Sequence, residues 1–271
     1  MITQSGLLKF VRRALAEPRL AGVDLNSDRR IAVHLDILQK KFMLHGVFAD
    51  FYHGCRRADE HFLSGPGKRI EIGSGTGLFK SFYPDVLLSD IVPAPHLDIV
   101  LDAENMRLPD SSVRAFYVIN TFHHFANPDR FFRELLRVLA PGGGCVLVEP
   151  YYGPGATFFF SRVFTSEGFD KTQQSWTTAR ADSDVMTNAN QAMSYIIFRR
   201  DAEMFRAQFP GLEVVHSRRF HNYLRYFFSG GLNFRRLLPD FATPLLRGFE
   251  FLLAPADHLW ALHYLTVLRK T

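Results

Sequence analysis

Cysteine is scarce in this sequence, since Cys55 and Cys145 are the only two among 271 residues. Two isolated cysteines form neither a disulfide framework nor the ligand spacing of a zinc site, so we expect both to stay thiols in a reducing compartment. Long apolar runs are also lacking. The stretch between Arg137 and Arg162 has Glu149 as its single charge, but glycine and proline interrupt it throughout, so we predict no membrane-spanning helix.

An N-terminal secretory leader is not expected, because Met1 to Leu20 carries Arg12, Arg13 and Arg19 and has no uninterrupted apolar core. Internal repeats and low-complexity tracts are absent as well. Neither sign of charge dominates strongly, and a net charge of +5 permits anionic surfaces or substrates. We therefore predict a cytoplasmic protein that is one large domain, with or without an insertion.

A glycine-rich loop is the most informative feature that is present. It spans Ile70 to Gly77, reads IEIGSGTG, and precedes a segment that favours a helix. A strand, a glycine loop and a helix in this order are the setting in which nucleotide-type ligands bind. A dinucleotide fingerprint needs its third glycine at position 78, where the chain has Leu78, so a pyrophosphate is not indicated. Glu71 ends the strand and is placed to meet a cationic group, a description that S-adenosylmethionine fits.

The loop resembles that of the class I S-adenosylmethionine-dependent methyltransferases, in particular the broad type 11 group that acts on small molecules. Three later segments strengthen the resemblance. Val86–Asp90 is an apolar strand that ends in an acid, and residues 97–109 are similar to the family's segment with Asp-Ala before Leu-Pro. Residues 127–149 run from a capped helix through a Pro-Gly-Gly turn into an apolar strand, as they do in the family.

The resemblance implies how these segments hold the cofactor. Asp90, with Ile91 beside it, accepts the ribose hydroxyls, because a carboxylate offers several lone pairs. Asp102 accepts from the adenine amino group, and the backbone amide of Ala103 donates to the ring. Asn120 lies where the methionine end and the methyl acceptor meet. The other predicted cofactor-binding residues belong to the loop: Glu71, Gly73, Ser74, Gly75 and Gly77.

The implied fold is an α/β, Rossmann-like sheet of seven mostly parallel strands with an antiparallel C-terminal edge. Residues 1–63 are predicted to form an N-terminal helical cap, with a longer helix that runs from about Arg30 towards the low 60s and has possible breaks at Gly46 and Gly54. Residues 64–271 form the methyltransferase domain, with an inserted cap at about 150–195. Two interpretations of the N-terminal cap stay open: it covers one edge of the sheet, or it forms a lid over the cofactor.

Candidates for catalysis follow two buried strands. His123 and His124 come just after the apolar strand that ends at Asn120, and Glu149 ends the next strand, so each is a candidate general base. In-line methyl transfer depends mainly on positioning, so a base is not obligatory. No metal site is predicted, because adjacent histidines point in different directions and no nearby cysteine or carboxylate completes a ligand shell.

The predicted function is transfer of a methyl group from S-adenosylmethionine to a small-molecule, glycan- or lipid-linked acceptor, which leaves S-adenosylhomocysteine. Two alternatives stay open: a catalytically silent S-adenosylmethionine-binding scaffold, or another transferase that uses the same cofactor and fold. The segments outside the resemblance, at about 150–195 and 220–251, are expected to wall the acceptor pocket.

The stretch 220–251 combines basic pairs with many aromatic residues. Such interleaving serves single-stranded nucleic acid or a membrane interface. Because no recognised nucleic-acid module accompanies it, we expect no nucleic-acid partner and allow for peripheral membrane contact. Arg218-Arg219 or Arg235-Arg236 would then meet phosphate. The alternative is that these rings bury one another in a second small core.

Overall fold

A seven-stranded sheet organises the molecule. A computed structural model describes residues 13–24, 28–165, 167–178 and 189–271. The strands are β1 (Lys68–Ile72), β2 (Val86–Asp90), β3 (Ile99–Val100), β4 (Val113–Ile119), β5 (Leu139–Pro150), β6 (Leu212–Arg219) and β7 (His263–Lys270).

The order across the sheet is β3-β2-β1-β4-β5-β7-β6. Strands β1 to β5 pair with one another in parallel, whereas β7 pairs antiparallel with both β5 and β6. The predicted fold class is therefore confirmed, including the antiparallel C-terminal edge. Alternate residues of β4 point to opposite faces, and Phe116 and Tyr117 are both fully buried, as a central parallel strand requires.

Helices cover both faces of the sheet. They are α1 (Asp28–Lys40), α2 (Phe42–Phe62), α3 (Phe79–Phe82), α4 (Pro128–Val138), α5 (Pro154–Arg162), α6 (Met193–Tyr195), α7 (Ala202–Gln208), α8 (Tyr223–Ser229), α9 (Thr243–Leu253) and α10 (Asp257–Trp260). Phe132 of α4 and Phe205 of α7 share the core of one face with Phe116. Phe51 of α2 shares the core of the other face with Tyr117.

The break between α1 and α2 lies at Lys41, so the prediction of a break at a glycine is wrong: Gly46 and Gly54 both lie inside α2. Lys41 is buried, and its ammonium group lies 3.1 Å from Glu17 Oε2 and 2.9 Å from the carbonyl oxygen of Gly231. A buried lysine needs such partners. These distant contacts, which no local pattern encodes, accompany the non-helical backbone of Lys41.

A buried carboxylate joins α2 to the sheet. Asp59 is fully buried and accepts hydrogen bonds from Arg69 Nε at 2.7 Å, Arg114 Nε at 2.8 Å and the Tyr117 hydroxyl at 2.8 Å. Arg69 belongs to β1, and the other two donors belong to β4. Because a buried charge is tolerated only when it is paired, this cluster determines where α2 sits on the sheet.

The third strand is shorter than predicted. Residues 97–103 are expected to be extended, but only Ile99 and Val100 pair with β2. The strand lies at the sheet edge, where Val100 is exposed, and the side chain of Asp102 then accepts from the backbone N–H of Glu104 at 2.9 Å. This local turn competes with the ladder and ends the strand.

Several aromatic residues from both predicted wall segments form a separate small core. Phe159 and Phe164 lie 4.4 Å apart between ring centroids, and Tyr223 of α8 packs in the same cluster. The interpretation that these rings bury one another therefore holds for part of the stretch. None of the helices in the described ranges is long and apolar enough to cross a membrane.

Candidate functional site

A cavity of about 430 Å³ opens at the carboxyl ends of β1, β2 and β4. This is the position at which open α/β sheets bind ligands. Most of the residues predicted from the sequence line it together: Glu71, Gly73, Ser74, Gly75, Asp90, Ile91, Asp102, Ala103, Asn120, His123 and His124. Gly77 and Glu149 lie outside its wall.

The glycine loop has the backbone that its sequence predicts. Gly73, Gly75 and Gly77 have φ values of +71°, +47° and +68°, the left-handed region in which side chains are disfavoured. The loop is fastened to β2, because Ser89 N donates to Ser74 Oγ at 2.9 Å and Ser74 N donates to Ser89 O at 2.9 Å. The loop is therefore held rigidly at the cavity edge.

The three glycines are needed for different reasons. A Cβ on Gly73 would lie 2.3 Å from Thr121 Cγ2, and one on Gly77 would lie 2.8 Å from His96 Cδ2. A Cβ on Gly75 would meet no atom within 4 Å. Gly73 and Gly77 thus permit close packing inside the protein, whereas Gly75 leaves space free beside the cavity.

Asp90 is placed between the loop and the ligand space. Its Oδ2 accepts from the backbone N–H of Gly75 at 3.2 Å, and its Oδ1 accepts from that of Val92 at 3.3 Å. Each carboxylate oxygen has further lone pairs, so the side chain can accept from a ligand while it orders the loop.

Buried polar atoms without partners surround the cavity. Among the described residues, no hydrogen-bond partner meets Arg30 Nε, His34 Nε2, Glu71 Oε2 or Asn120 Oδ1. Unpaired buried polar atoms are costly, and these four are available to a polar ligand in the cavity. Arg30 and His34 belong to α1, so the first cap helix lines the ligand space, as the lid interpretation requires.

Glu71 is buried beneath the loop. Burial raises its pKa well above the ordinary value. A hydrogen bond from Ser74 lowers the pKa, and the charge of Asp90 raises it, but burial has the largest effect. A cation in the cavity would favour the ionised carboxylate. The geometry therefore suits the positively charged ligand that the sequence predicts.

Asn120 has a strained backbone at the carboxyl end of β4. Its φ of +49° is unusual for a residue other than glycine, and its N–H donates to Val148 O at 2.8 Å. Such outliers are concentrated at functional sites, where the surrounding structure holds them. Here the turn directs the following segment, residues 121–124, along the cavity wall.

A chain of three side chains crosses this turn. Glu149 Oε1 accepts from the backbone N–H groups of Thr121 at 3.0 Å and Phe122 at 2.9 Å. Its Oε2 lies 2.5 Å from His123 Nδ1, and His123 Nε2 lies 3.0 Å from Glu167 Oε2. The imidazole is thus held between two carboxylates.

The two carboxylates decide the charge of His123. Burial alone lowers the pKa of His123, but the charges and hydrogen bonds of Glu149 and then Glu167 raise it to about 10. Burial likewise opposes ionisation of Glu167, yet the hydrogen bond and charge of His123 lower its pKa to about 2. With its pKa raised in this way, we expect His123 to be a doubly donating imidazolium at neutral pH, a form that cannot accept a proton as a general base.

This arrangement bears on the predicted bases, which stay predictions. Both oxygens of Glu149 accept within the turn, a placement that suits the positioning of residues 121–123. Both ring nitrogens of His123 have carboxylate partners. His124 lines the cavity, with Nε2 3.8 Å from Glu167 Oε1, and is the candidate that this placement favours.

Glu167 is the site residue that sequence reasoning missed. It lies in the insertion, far along the chain from His123, and no spacing links the two. Only the fold brings them together. The argument against a metal, that no carboxylate lies nearby, is wrong for the same reason: ligand atoms of His123, His124 and Glu167 lie within 4.8 Å of one another. In the structure the hydrogen bond between His123 and Glu167 holds this cluster together through a proton on His123. That no metal binds here stays a prediction.

We expect the histidines of this cavity to differ in charge at neutral pH. Burial, and then the charge of Arg30, lowers the pKa of His34 to about 4, and burial, and then the charge of His123, lowers that of His263 to about 3. Histidine ring NMR should find His123 still protonated near pH 8 and the other two neutral.

The Glu149→Gln variant is the matched test, because it removes the largest favourable charge and should lower the pKa of His123. A raised folded-state pKa stabilises the protein below the ordinary value of 6.5, and that stability is lost as the pH rises towards about 10. The stability difference between wild type and variant should therefore shrink over that range. A neutral His123 at about pH 8 would contradict the charge assignment.

Comparison with known proteins identifies the central part of the chain. Residues 70–147 match a family model described as a methyltransferase domain. The resemblance predicted from the glycine loop and the three later segments is therefore confirmed over this stretch.

Solved structures of similar fold cover more of the chain. Geranyl diphosphate C-methyltransferase from Streptomyces coelicolor A3(2) is 12% identical, with a TM-score of 0.47, and the match covers 94% of this chain and 88% of that chain. An S-adenosylmethionine-dependent methyltransferase from Mesorhizobium loti is 15% identical, with a TM-score of 0.44, and the match covers 79% of this chain and 96% of that chain.

Proposed function

We propose that this protein is an S-adenosylmethionine-dependent methyltransferase, with S-adenosylhomocysteine as the product. The observation that carries the proposal is the buried Glu71, whose Oε2 has no hydrogen-bond partner, beneath a glycine loop that Asp90 orders and within a stretch that matches a methyltransferase domain. The bound cofactor supplies a methyl group on a cationic sulfonium.

The chain's own residues would divide the work of holding this cofactor. Asp90 would accept from the ribose hydroxyls, and Asp102 with the Ala103 amide would hold the adenine. Glu71 and Asn120 have free oxygens for the ammonium group at the methionine end. Arg30 offers an unpaired N–H that suits a carboxylate.

The acceptor would occupy the half of the cavity outside the matched stretch. Phe160, Phe164, Glu167 and Gln191 come from the insertion, and Tyr226 comes from α8. Aromatic rings with a few polar groups suit an acceptor that has an apolar or sugar face. This supports a small-molecule, glycan- or lipid-linked acceptor.

Phosphate recognition by Arg218 does not belong to this proposal. Arg218 lies over the ring of Phe220, 5.1 Å from its centroid, and lines a separate surface groove with Arg57. An acceptor in the cavity would meet Glu167 and the imidazolium of His123 instead.

His124→Gln tests the catalytic assignment. If His124 accepts the acceptor's proton, methyl transfer should fall about 100-fold or more while cofactor affinity is retained. A screen with cofactor labelled in the methyl group would first identify an acceptor, and initial rates would then compare the variants. His61→Gln, which changes a histidine of the separate groove, is the matched control.

The outcomes separate the competing functions. Calorimetric binding of S-adenosylhomocysteine without transfer to any acceptor would favour a silent scaffold. Unchanged transfer by His124→Gln would leave the methyltransferase standing and remove the base. Absence of cofactor binding by the wild-type protein would reject the proposal itself.

A further inference from the structure

The last two helices expose large apolar side chains. We define the apolar face by Phe241, Leu245, Phe249, Phe251, Leu252 and Trp260. Their exposed fractions range from 47% for Phe249 to 85% for Phe241. Single exposed apolar residues are ordinary, but large ones concentrated on consecutive helices mark a surface that binds something.

Helix α9 is apolar on the side that faces away from the protein. Leu245, Phe249 and Leu252 follow at helical spacing, and Phe241 lies one turn before them, so these residues form one exposed stripe. The opposite side is anchored, because Leu246 and Glu250 are buried. A helix that only covered a soluble protein would have polar residues on its outer side.

In this segment the acidic side chains are buried, and the exposed ionisable side chains are basic. Glu250 is buried and accepts from Arg225 Nε at 2.6 Å, and Asp257 is buried and pairs with His221. Between Phe241 and Trp260, the exposed ionisable side chains are those of Arg247 and His258. The face therefore has no exposed carboxylate of its own, and the charge that it does expose complements an anionic surface.

The apolar face is attached to elements that wall the cavity. The Glu250 carboxylate holds α9 to Arg225 of α8, and Tyr226 of the same helix lines the cavity. Helix α10 packs on α5, where Phe160 lines the cavity and Phe158 is exposed. A surface bound to this face would lie next to the proposed acceptor half.

We propose that the apolar face docks the protein on the surface of an anionic lipid bilayer. Exposed phenylalanines and leucines on a short helix enter the boundary between headgroups and acyl chains, and tryptophan prefers that boundary. The outward Arg247 adds attraction to anionic headgroups. This inference goes beyond methyl transfer, because it depends on neither the cofactor nor the acceptor.

Co-sedimentation with lipid vesicles tests the proposal. The wild-type protein should pellet with vesicles of phosphatidylcholine and phosphatidylglycerol, and less with phosphatidylcholine alone. Added salt should weaken binding partly, since it screens Arg247 but not the apolar contacts. A wild-type protein that stays in the supernatant with the mixed vesicles would overturn the proposal.

The double variant Phe249→Ser/Leu252→Ser should bind the mixed vesicles about tenfold more weakly or worse, because both side chains lose apolar area that the bilayer would cover. Met204→Ser is the matched control: Met204 is also half-exposed, but it belongs to α7 on the other face of the sheet. Equal binding by the double variant and the control would contradict the docking face.

A second measurement uses a single substitution, so it does not depend on whether the double variant folds. Brominated lipid in the same vesicles should quench wild-type tryptophan fluorescence, and Trp260→Phe should lose that quenching, because Trp176 is buried. If light scattering instead finds a dimer without lipid that Phe249→Ser/Leu252→Ser dissociates, a second copy occupies the face and the proposal fails.

Discussion

Asp90→Ala is expected to reduce the affinity for S-adenosylhomocysteine by about a hundredfold or more. The side chain would accept two charge-assisted hydrogen bonds from the ribose, each of which contributes about 1.5–3 kcal/mol. It also accepts from Gly75 N at 3.2 Å, so its loss loosens the loop that shapes the cavity. Both effects act in the same direction, which makes this the largest effect on binding that we expect from one side chain.

Titration calorimetry with two further variants separates these effects. Asp90→Asn keeps an oxygen that can accept from Gly75 but loses the charge, so its affinity should lie between those of wild type and Asp90→Ala. Asp110→Ala removes an exposed acid that pairs with Arg137 outside the cavity and should bind as wild type does. Equal affinities of Asp90→Ala and Asp110→Ala would exclude Asp90 from the ribose site.

Gly73→Ala should destabilise the protein far more than Gly75→Ala. At Gly73 a methyl group would overlap Thr121 Cγ2 at 2.3 Å, which costs about 1–3 kcal/mol, in addition to about 1–2 kcal/mol for the left-handed backbone. At Gly75 only the backbone cost of about 1–2 kcal/mol applies, because no atom lies within 4 Å. Urea unfolding without ligand measures this difference.

When ligand affinity is measured instead of stability, Gly75→Ala should have the larger effect of the two variants. Both glycines line the cavity, but a Cβ on Gly75 would meet no protein atom, so a methyl group there takes space that the cofactor would occupy and should lower affinity in protein that is fully folded. Equal unfolding free energies for the two variants would show that the Thr121 side chain moves aside at little cost. Unchanged affinity of Gly75→Ala would place the cofactor away from the loop.

Local patterns predicted much of the cofactor half correctly. The glycines at 73, 75 and 77 required a backbone with positive φ, and all three have it. The resemblance implied a mostly parallel sheet, and the predicted cap is present, because the side chain of Asn127 accepts from Arg130 N at 3.2 Å at the start of α4. Such features depend on neighbours within a few residues, which is why a single sequence reveals them.

Interactions between distant parts of the chain were beyond these patterns. The helix break at Lys41 accompanies contacts with Glu17 and Gly231. The charge of His123 depends on Glu149 and Glu167, and the latter reaches the site from an insertion with no periodic signal. A pKa depends on burial and on charges within a few ångströms, and neither can be obtained from spacing along the chain.

The sequence by itself determined the glycine loop and the acids that follow the strands, because each depends on local backbone preference and apolar periodicity, whereas the sheet class followed from the resemblance that these segments carry. Tertiary structure alone decided that Glu149 supports the turn, that Glu167 faces the cavity, and that Phe241 and Phe249 remain exposed while Phe159 and Phe164 are buried. Identical side chains in the two predicted wall segments have opposite environments because burial depends on which helix packs over them. That is a property of the assembled fold and not of the residue type.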